Sequence, residues 1–256
     1  MTDGDDRPSG RILTRREVLA LLGGSALVAA CAPATVSSPA SSAPVSAATA
    51  AATVLPSCVV RPALTEDPYF VDEKLNRSDI RSDPSTNAVK PGVALLLTFL
   101  VSKVSGSACT ALPNATVDVW HCDALGVYSD ASDPNFGSTK GTKFLRGYQT
   151  TDASGSAKFT TIWPGWYQGR AVHIHFKIRT TASNGRLADF TSQLFLPDAM
   201  NDAVFANAPY SQKGVAGILR NTGDDIFNKS GGKLTLSPAK TAVGYAVTFD
   251  IGLTAV

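Results

Sequence analysis

Two of the chain's three histidines stand one residue apart in an alternating run, Val172-His173-Ile174-His175-Phe176. Successive side chains of a β-strand point to opposite faces, so both imidazoles project from one face while the three apolar side chains pack on the other. The run therefore predicts a strand backed by an apolar core, with two nitrogens placed to bind one metal ion. The alternative is an ordinary strand with two polar residues on its wet face.

A turn-rich loop precedes this strand and reads Pro164-Gly165-Trp166-Tyr167-Gln168-Gly169-Arg170. Its proline and glycines favour turns that carry Tyr167 and Arg170 towards the end of the strand. A phenol ordinarily has a pKa of about 10, but a bound trivalent cation can hold it as phenolate. Tyr167 is thus a candidate ligand for a strong Lewis acid such as Fe(III). Alternatively, Tyr167 covers the sheet end and Arg170 pairs with an acid such as Asp123.

The rest of the chain from residue 58 onwards is dominated by strand-like segments separated by Gly, Pro, Asn and Asp clusters. The predicted strands cover residues 92–101, 116–121, 155–161, 171–178, 190–196 and 245–253. Only residues 201–206 and 214–219 are typical of short helical turns, and Asp152-Ala153-Ser154-Gly155 is typical of a hairpin turn. This pattern predicts an all-β fold, a β-sandwich with short helical turns and long loops.

The N-terminal residues predict export. Arg15 and Arg16 form a twin-arginine pattern ahead of an apolar run, residues 18–30, that is too short to span a bilayer. We interpret residues 1–31 as a signal peptide whose lipobox-like end makes Cys31 a lipidated residue. Residues 32–57, rich in Ala, Ser and Pro, are a disordered linker, and residues 58–256 form one domain. Alternatively, a plain export signal is cut nearby and Cys31 is discarded.

Composition and cysteine content indicate the class of protein and its disulfide bonding. A chain with 44% hydrophobic and 17% charged residues is typical of a globular protein, and a net charge of +2 does not indicate a nucleic-acid partner. In an oxidising compartment, a disulfide between Cys58 and Cys109 would staple the start of the domain to the sheet. Cys122 is interpreted as a buried thiol, and the other two pairings stay open.

Several further segments carry a family resemblance. They are residues 117–121 (VDVWH), 126–129 (GVYS), 144–147 (FLRG), 151–152 (TD) and 164–176. In this order and spacing the chain resembles the intradiol ring-cleavage dioxygenases, the catechol and protocatechuate dioxygenase family, as an exported lipoprotein-type member. Residues 64–70 and 75–80 also resemble family segments, although Asp67 and Phe99 stand where glycine is common. The long helical segment by which catechol dioxygenases dimerise is absent from the sequence, so the oligomeric state is left open.

The resemblance implies a mononuclear non-haem Fe(III) bound by Tyr128, Tyr167, His173 and His175, with no other cofactor. It further implies Arg170 beside the substrate, Gln193 near it and Tyr69 at the mouth of the site, with His121 outside the ligand set. Tyr167 would act as a proton acceptor while a catechol-type substrate and O2 give a cis,cis-muconate, a step of aromatic compound catabolism.

Other interpretations remain beside this one. Tyr128 alone is also typical of an ordinary turn tyrosine, and Gln193 of a plain hydrogen-bonding strand residue. The alternative function is a non-catalytic β-sandwich that binds a ligand as a surface lipoprotein, and zinc in the two-histidine site is a weaker alternative. An arginine beside an open iron position favours the enzyme, although the sequence favours no particular catechol.

Overall fold

The computed structural model describes residues 59–66, 69–182 and 184–254. Strands dominate the part of the chain that it describes, and the helices are short. In chain order the strands are β1 Ala94–Ser105, β2 Ala108–Ala111, β3 Thr116–Trp120, β4 Ser132–Asp133, β5 Gly137–Ser138, β6 Arg146–Thr150, β7 Ser156–Ile162, β8 His173–Thr181, β9 Leu187–Phe195, β10 Ala239–Lys240 and β11 Gly244–Leu253. The helices are α1 Asp198–Phe205 and α2 Asp225–Ser230, with 3-10 helices at Tyr210–Gln212 and Asn221–Gly223.

Two sheets form the sandwich. In the first sheet the order is β10-β11-β1-β2, and β7 also pairs with β1. Strands β1 and β11 run parallel, with Ala94 opposite Gly244, whereas β7 and β2 pair with β1 antiparallel. The second sheet is antiparallel with the order β6-β3-β8-β9, so the strand with both histidines lies inside it. A small ribbon, β4-β5, stands apart.

The apolar faces of the two sheets meet in a core of interlocking aromatic rings. Phe99 on β1 packs against Phe176 on β8 with ring centroids 5.2 Å apart, and it also contacts Phe159 and Phe249 at 6.1 Å and 5.9 Å. Full burial of one such ring stabilises the fold by about 1.5–3 kcal/mol. Because Ile174 and Phe176 are fully buried here, the histidines that alternate with them are turned to the opposite face of β8.

The predicted all-β sandwich is confirmed, and each predicted strand segment overlaps an observed strand. The helical turn predicted at residues 201–206 falls largely within α1. The one predicted at residues 214–219 is wrong, because Gly214 and Gly217 have positive φ angles of 69° and 93°, which interrupt a right-handed helix. Helix α2 had not been predicted.

The hairpin predicted at Asp152–Gly155 is only half right. The turn forms, and the Gly155 N–H donates to the Asp152 carbonyl at 2.9 Å. However, the flanking strands β6 and β7 pair in different sheets, so the turn carries the chain from one sheet to the other. Alternation on both sides of a turn does not reveal whether the two strands pair with each other.

The predicted signal peptide, linker and start of the domain lie outside the described residues, as do Cys31, Cys58 and Asp67. Cys109 on β2 is disulfide-bonded, and its pairing with Cys58 stays a prediction. Cys122 is a free, buried thiol, as expected. Across the three described ranges, no helix is both long enough and apolar enough to cross a membrane.

Candidate functional site

His173 and His175 lie on the outer face of the second sheet and are nevertheless buried, with 2% and 0% of their surface exposed. Strand β8 is held on both sides, with His175 opposite Trp120 on β3 and opposite Gln193 on β9. The Trp120 indole stacks on the His175 ring at 5.0 Å and an interplanar angle of 10°. Both imidazoles therefore project from a strand whose position is fixed by a neighbour on each side.

The two imidazoles and Tyr167 converge on one point. The Nε2 atoms of His173 and His175 lie 3.0 Å apart, and the Tyr167 hydroxyl lies 3.3 Å from His173 Nε2. His173 Nδ1 donates to the carbonyl of Ala171 at 2.6 Å, which places the proton on Nδ1 and leaves the lone pair of Nε2 facing the cluster. The 3.0 Å separation also suits a hydrogen bond donated by His175 Nε2, and a cation bound to both Nε2 atoms would take the place of that proton.

Tyr128 completes the cluster from the other side. Its ring lies 5.7 Å from the ring of Tyr167 and 6.2 Å from that of His175, between centroids. Its hydroxyl is buried near that of Tyr167 and has no partner at ordinary hydrogen-bond geometry among the described residues. A buried hydroxyl without a partner costs about 1–3 kcal/mol, so its oxygen is suited to a ligand that would replace the missing partner.

Burial keeps all four side chains neutral. It lowers the pKa of His173 to about 3, with the charge of Arg170 acting in the same direction, and it lowers the pKa of His175 well below the ordinary value. The same desolvation raises the pKa of Tyr128 and of Tyr167. Neutral imidazoles keep their lone pairs for a metal, whereas these phenols ionise only next to a strong cation.

The donor set itself is informative about the metal. Among the described residues, no three His, Cys, Asp or Glu side chains come together to hold a metal ion. The further oxygen groups next to His173 and His175 are the phenols of Tyr128 and Tyr167. Phenolate oxygen together with imidazole nitrogen suits ferric iron better than zinc.

The loops that carry Tyr128 and Tyr167 are joined backbone to backbone. Asp123 organises the first loop, because its Oδ1 accepts the N–H groups of Leu125 and Val127, both at 3.0 Å. The Asp123 carbonyl accepts the N–H of Gly165 in the second loop at 3.0 Å. A Cβ on Gly165 would come within 2.5 Å of the Ala124 carbonyl oxygen, so only glycine permits this approach.

Lys213 fastens the same two loops from outside. Its Nζ donates to the carbonyls of Leu125 and Trp166 at 2.8 Å and 2.7 Å, and it lies 4.4 Å from the centroid of the Trp166 ring. The Trp166 indole N–H donates to the Gly214 carbonyl at 2.8 Å. A cavity of about 540 Å³ borders Tyr167 here.

Arg170 is anchored next to the cluster by two side chains. Its Nη2 donates to Gln193 Oε1 at 2.6 Å, and its Nε donates to Asp224 Oδ2 at 2.9 Å. The alternative that Arg170 pairs with an acid is confirmed, although the acid is Asp224 and not Asp123, which binds Lys90 at 2.8 Å.

Gln193 occupies the strand position opposite His175 and also donates from Nε2 to the carbonyl of Thr65 at 3.2 Å. It therefore connects the arginine to the segment that covers the sheet. The structure thus brings together all six residues assigned to the site from the sequence: Tyr128, Tyr167, Arg170, His173, His175 and Gln193.

Tyr69 lies against the cluster, whereas His121 lies outside it. The Tyr69 ring packs 4.7 Å from the Tyr128 ring, and its hydroxyl donates to Asp133. His121 has both ring nitrogens bonded, to the Cys122 carbonyl at 2.8 Å and the Thr161 hydroxyl at 2.7 Å. It is a satisfied structural histidine, as expected from the sequence.

Two residues at the site were missed from the sequence, Asp224 and Lys213. Asp224 precedes the apolar pair Ile226 and Phe227, and an Asp in that position is a helix N-cap signal that could have indicated α2. Lys213 carries no comparable signal, because its partners are backbone carbonyls of distant loops.

Comparisons with known proteins bear on the family and the fold of the chain. A family model described as Dioxygenase matches residues 65–254. The chain is similar to the structure of an intradiol ring-cleavage dioxygenase from Tetranychus urticae, with 27% identity over 77% of this chain and 94% of that chain, at a TM-score of 0.63. It is also similar to the dioxygenase domain of a dioxygenase and carbohydrate-binding protein fusion from Streptomyces sp. SirexAA-E, with 28% identity over 77% of this chain and 100% of that one, at a TM-score of 0.54.

Hydroxyquinol 1,2-dioxygenase from Pseudomonas putida DLL-E4 shares the fold, with 18% identity over 78% of this chain and 68% of that chain, at a TM-score of 0.50. No curated protein matches the chain.

Proposed function

The chain belongs to the intradiol ring-cleavage dioxygenase family, and from that premise we propose that it is an Fe(III)-dependent enzyme. Its reaction would split a catechol-type ring between the two hydroxyl-bearing carbons with O2 to give a cis,cis-muconate. One observation carries the proposal: the polar atoms of His173, His175 and Tyr167 converge within 3.0–3.3 Å beside the unpartnered hydroxyl of Tyr128.

The residues present fit ferric iron. Tyr128 and Tyr167 would hold it through their oxygens, and His173 and His175 through Nε2. The unpartnered buried oxygen of Tyr128 and the facing nitrogens of the histidines support this assignment. Bound Fe(III) would supply the Lewis acidity that ionises both phenols and activates the catechol towards O2.

Tyr167 is the proposed proton acceptor. It is half-buried, it borders the 540 Å³ cavity, and its hydroxyl lies 3.3 Å from His173 Nε2. Tyr128 is 1% exposed, so its position is far more constrained. A proton leaving a catechol hydroxyl would therefore go to the oxygen of Tyr167.

Arg170 is the proposed binding group for the electron-rich ring. Its guanidinium is fixed by Gln193 and Asp224, so the charge is oriented before the substrate arrives. A preorganised charge stabilises developing negative charge without the cost of reorganising solvent. Trp120 and Tyr128, each 1% exposed, pack against the His175 ring and help to bury it.

A visible absorption spectrum of the full-length protein, loaded with ferric iron, tests the proposal. We expect a broad tyrosinate-to-iron band that moves to longer wavelength when catechol is added without oxygen, followed by O2 uptake on exposure to air. A protein that stays colourless after iron loading would contradict the ligand assignment and leave a non-catalytic binding domain as the better interpretation.

We also propose that the enzyme works outside the cytoplasm, tethered by a lipid on Cys31. The support is the sequence alone: the twin arginines Arg15 and Arg16 before an apolar run that ends at Cys31.

A further inference from the structure

Asp224 is a buried carboxylate that contacts three separate parts of the molecule. Only 2% of its surface is exposed, and each of its oxygens accepts two hydrogen bonds. Burial alone would raise the pKa of Asp224, but the Ala171 N–H and the Arg170 charge hold it below its ordinary value. The group is therefore an anion at neutral pH.

One oxygen begins a helix. Asp224 Oδ1 accepts the backbone N–H groups of Ile226 at 2.8 Å and Phe227 at 3.1 Å, which makes Asp224 the N-cap of α2. Serine, asparagine or threonine serves in this role about as well as aspartate. Capping alone therefore does not explain a carboxylate at this position.

The other oxygen reaches into the site. Asp224 Oδ2 accepts from Arg170 Nε at 2.9 Å and from the Ala171 N–H at 2.8 Å, which lie 54 and 53 residues earlier in the chain. The carbonyl of the same Ala171 accepts the Nδ1 proton of His173 at 2.6 Å. Asp224 thus holds both the guanidinium and the backbone group that orients the first histidine.

We infer that Asp224 is a positioning residue of the active site, acting through Arg170 and through Ala171 on His173. The inference rests on the proposed function. A carboxylate is needed because it neutralises a half-buried guanidinium while its second oxygen still caps α2. An amide has a single oxygen, so asparagine would leave either the helix end or the Arg170 and Ala171 donors without an acceptor.

The test compares Asp224→Ser with wild type in the full-length, iron-loaded protein. The serine hydroxyl still caps α2 but is too short to reach Arg170 and Ala171. We expect the dissociation constant for catechol, measured without oxygen from the colour shift, to rise about tenfold or more, and kcat to fall. Asp224→Asn keeps the size of the side chain, and we expect its dissociation constant and kcat to lie between those of wild type and Asp224→Ser. It replaces Asp224→Ser in the comparison if the serine variant does not fold.

A double-variant cycle separates positioning from general damage. If Asp224 acts through Arg170, then Arg170→Ala costs much less catechol affinity in the Asp224→Ser background than in wild type. Asp83→Ser is the matched control, because Asp83 is also buried and accepts the N–H groups of Ser85 and Lys143, both at 2.9 Å. We expect this control to lower the melting temperature and leave catechol affinity unchanged.

Additive losses in the cycle would overturn the inference, as would an Asp224→Ser protein that binds and turns over catechol within about twofold of wild type. An equal loss of affinity in Asp83→Ser would assign the effect to general destabilisation. These outcomes differ from failure of the proposed function, in which wild-type protein would show no iron band. That result would overturn the inference as well.

Discussion

At the scale of single residues, two buried tyrosines of this chain behave in opposite ways. The Tyr210 hydroxyl donates to the Trp163 carbonyl at 2.7 Å and accepts the Val93 N–H at 3.0 Å. The equally buried hydroxyl of Tyr128 has neither kind of partner within the described residues. The Tyr210 hydroxyl stabilises the fold, whereas the Tyr128 hydroxyl adds no such pair of hydrogen bonds to it.

Removing each hydroxyl should therefore have opposite effects. We expect Tyr128→Phe to lose iron binding, seen as loss of the visible band and of bound iron, while the metal-free variant is as stable as wild type or more so. Tyr210→Phe should bind iron normally but lose about 1–2 kcal/mol of unfolding free energy, because it leaves the Val93 N–H without its partner. Denaturant unfolding of the metal-free proteins measures the second quantity. Normal iron content in Tyr128→Phe would refute the assignment of Tyr128 as a ligand.

His121 predicts a pH dependence of stability. Burial lowers its pKa from 6.5 to about 4 in the folded protein, whereas the unfolded chain keeps the ordinary value. Between these values the unfolded state binds more protons, so stability falls as the pH falls through this range, by up to about 3 kcal/mol from this one residue. We expect the stability of metal-free His121→Asn to fall less steeply than that of wild type over this range. Parallel curves for the two proteins would show that His121 does not contribute.

Local patterns in the sequence indicated four of the site residues, whereas Gln193 and the roles of Tyr128 and the other ligands were predicted through the family resemblance. His173 and His175 share a strand face because of their spacing, and Tyr167 and Arg170 share one turn-rich loop. Asp224 could not be assigned to the site, because its partners Arg170 and Ala171 are more than 50 residues away. Hydrogen bonds of such separation depend on how the loops pack, which a single sequence does not show.

At the scale of elements, the site depends on two loops behaving as one unit. Gly126 has a φ of 84°, and a Cβ there would come within 2.3 Å of the Trp166 carbonyl oxygen. Together with the contact at Gly165, this packing means that the distance between Tyr128 and Tyr167 depends on how closely the two loops pack. Lys213 is the side chain that spans them.

We expect Lys213→Met to loosen this pair of loops. Methionine keeps an apolar side chain over Trp166 but gives up both hydrogen bonds to the carbonyls, so unfolding free energy should fall by about 1 kcal/mol and iron should dissociate faster to a chelator. Lys158→Met, exposed on β7, is the control and should leave iron release unchanged. Equal release rates in Lys213→Met and wild type would show that the loops hold together without this lysine.

Strands and turns could be predicted from the sequence where a local pattern alone determines the structure. Alternation reveals β8, because its apolar face packs on Phe99 and its polar face meets the loops. Alternation fails at Asp152–Gly155, because strand pairing there is decided by the long strand β1, which draws β7 into the first sheet. The helical turn predicted at residues 214–219 fails for a different reason, because two glycines with positive φ interrupt it.

At the scale of the whole molecule, the β-sandwich supports the site, because one of its sheets carries the histidines. The predicted signal peptide at the start of the chain would decide in which compartment the protein acts. The second sheet carries the imidazoles and Gln193, and the loops above it carry the tyrosines and Arg170. A site of this kind is complete only after the chain has folded. Export in the folded state, as the twin-arginine pattern predicts, would allow iron to be bound before the protein crosses the membrane.

Two sets of substitutions separate the steps of this export. In a bacterial host with a twin-arginine pathway, replacing both Arg15 and Arg16 with lysine should keep the protein in the cytoplasm, because the pathway recognises the arginine pair. Cys31→Ser should still be exported but should appear in the aqueous phase of a detergent partition rather than in the membrane fraction, because a single lipid attachment is its only predicted anchor. Cell fractionation, with the visible band as a marker of folded enzyme, measures both. A Cys31→Ser protein that stays with the membrane would exclude the lipid as the anchor, and export of the double lysine variant would exclude the twin-arginine route.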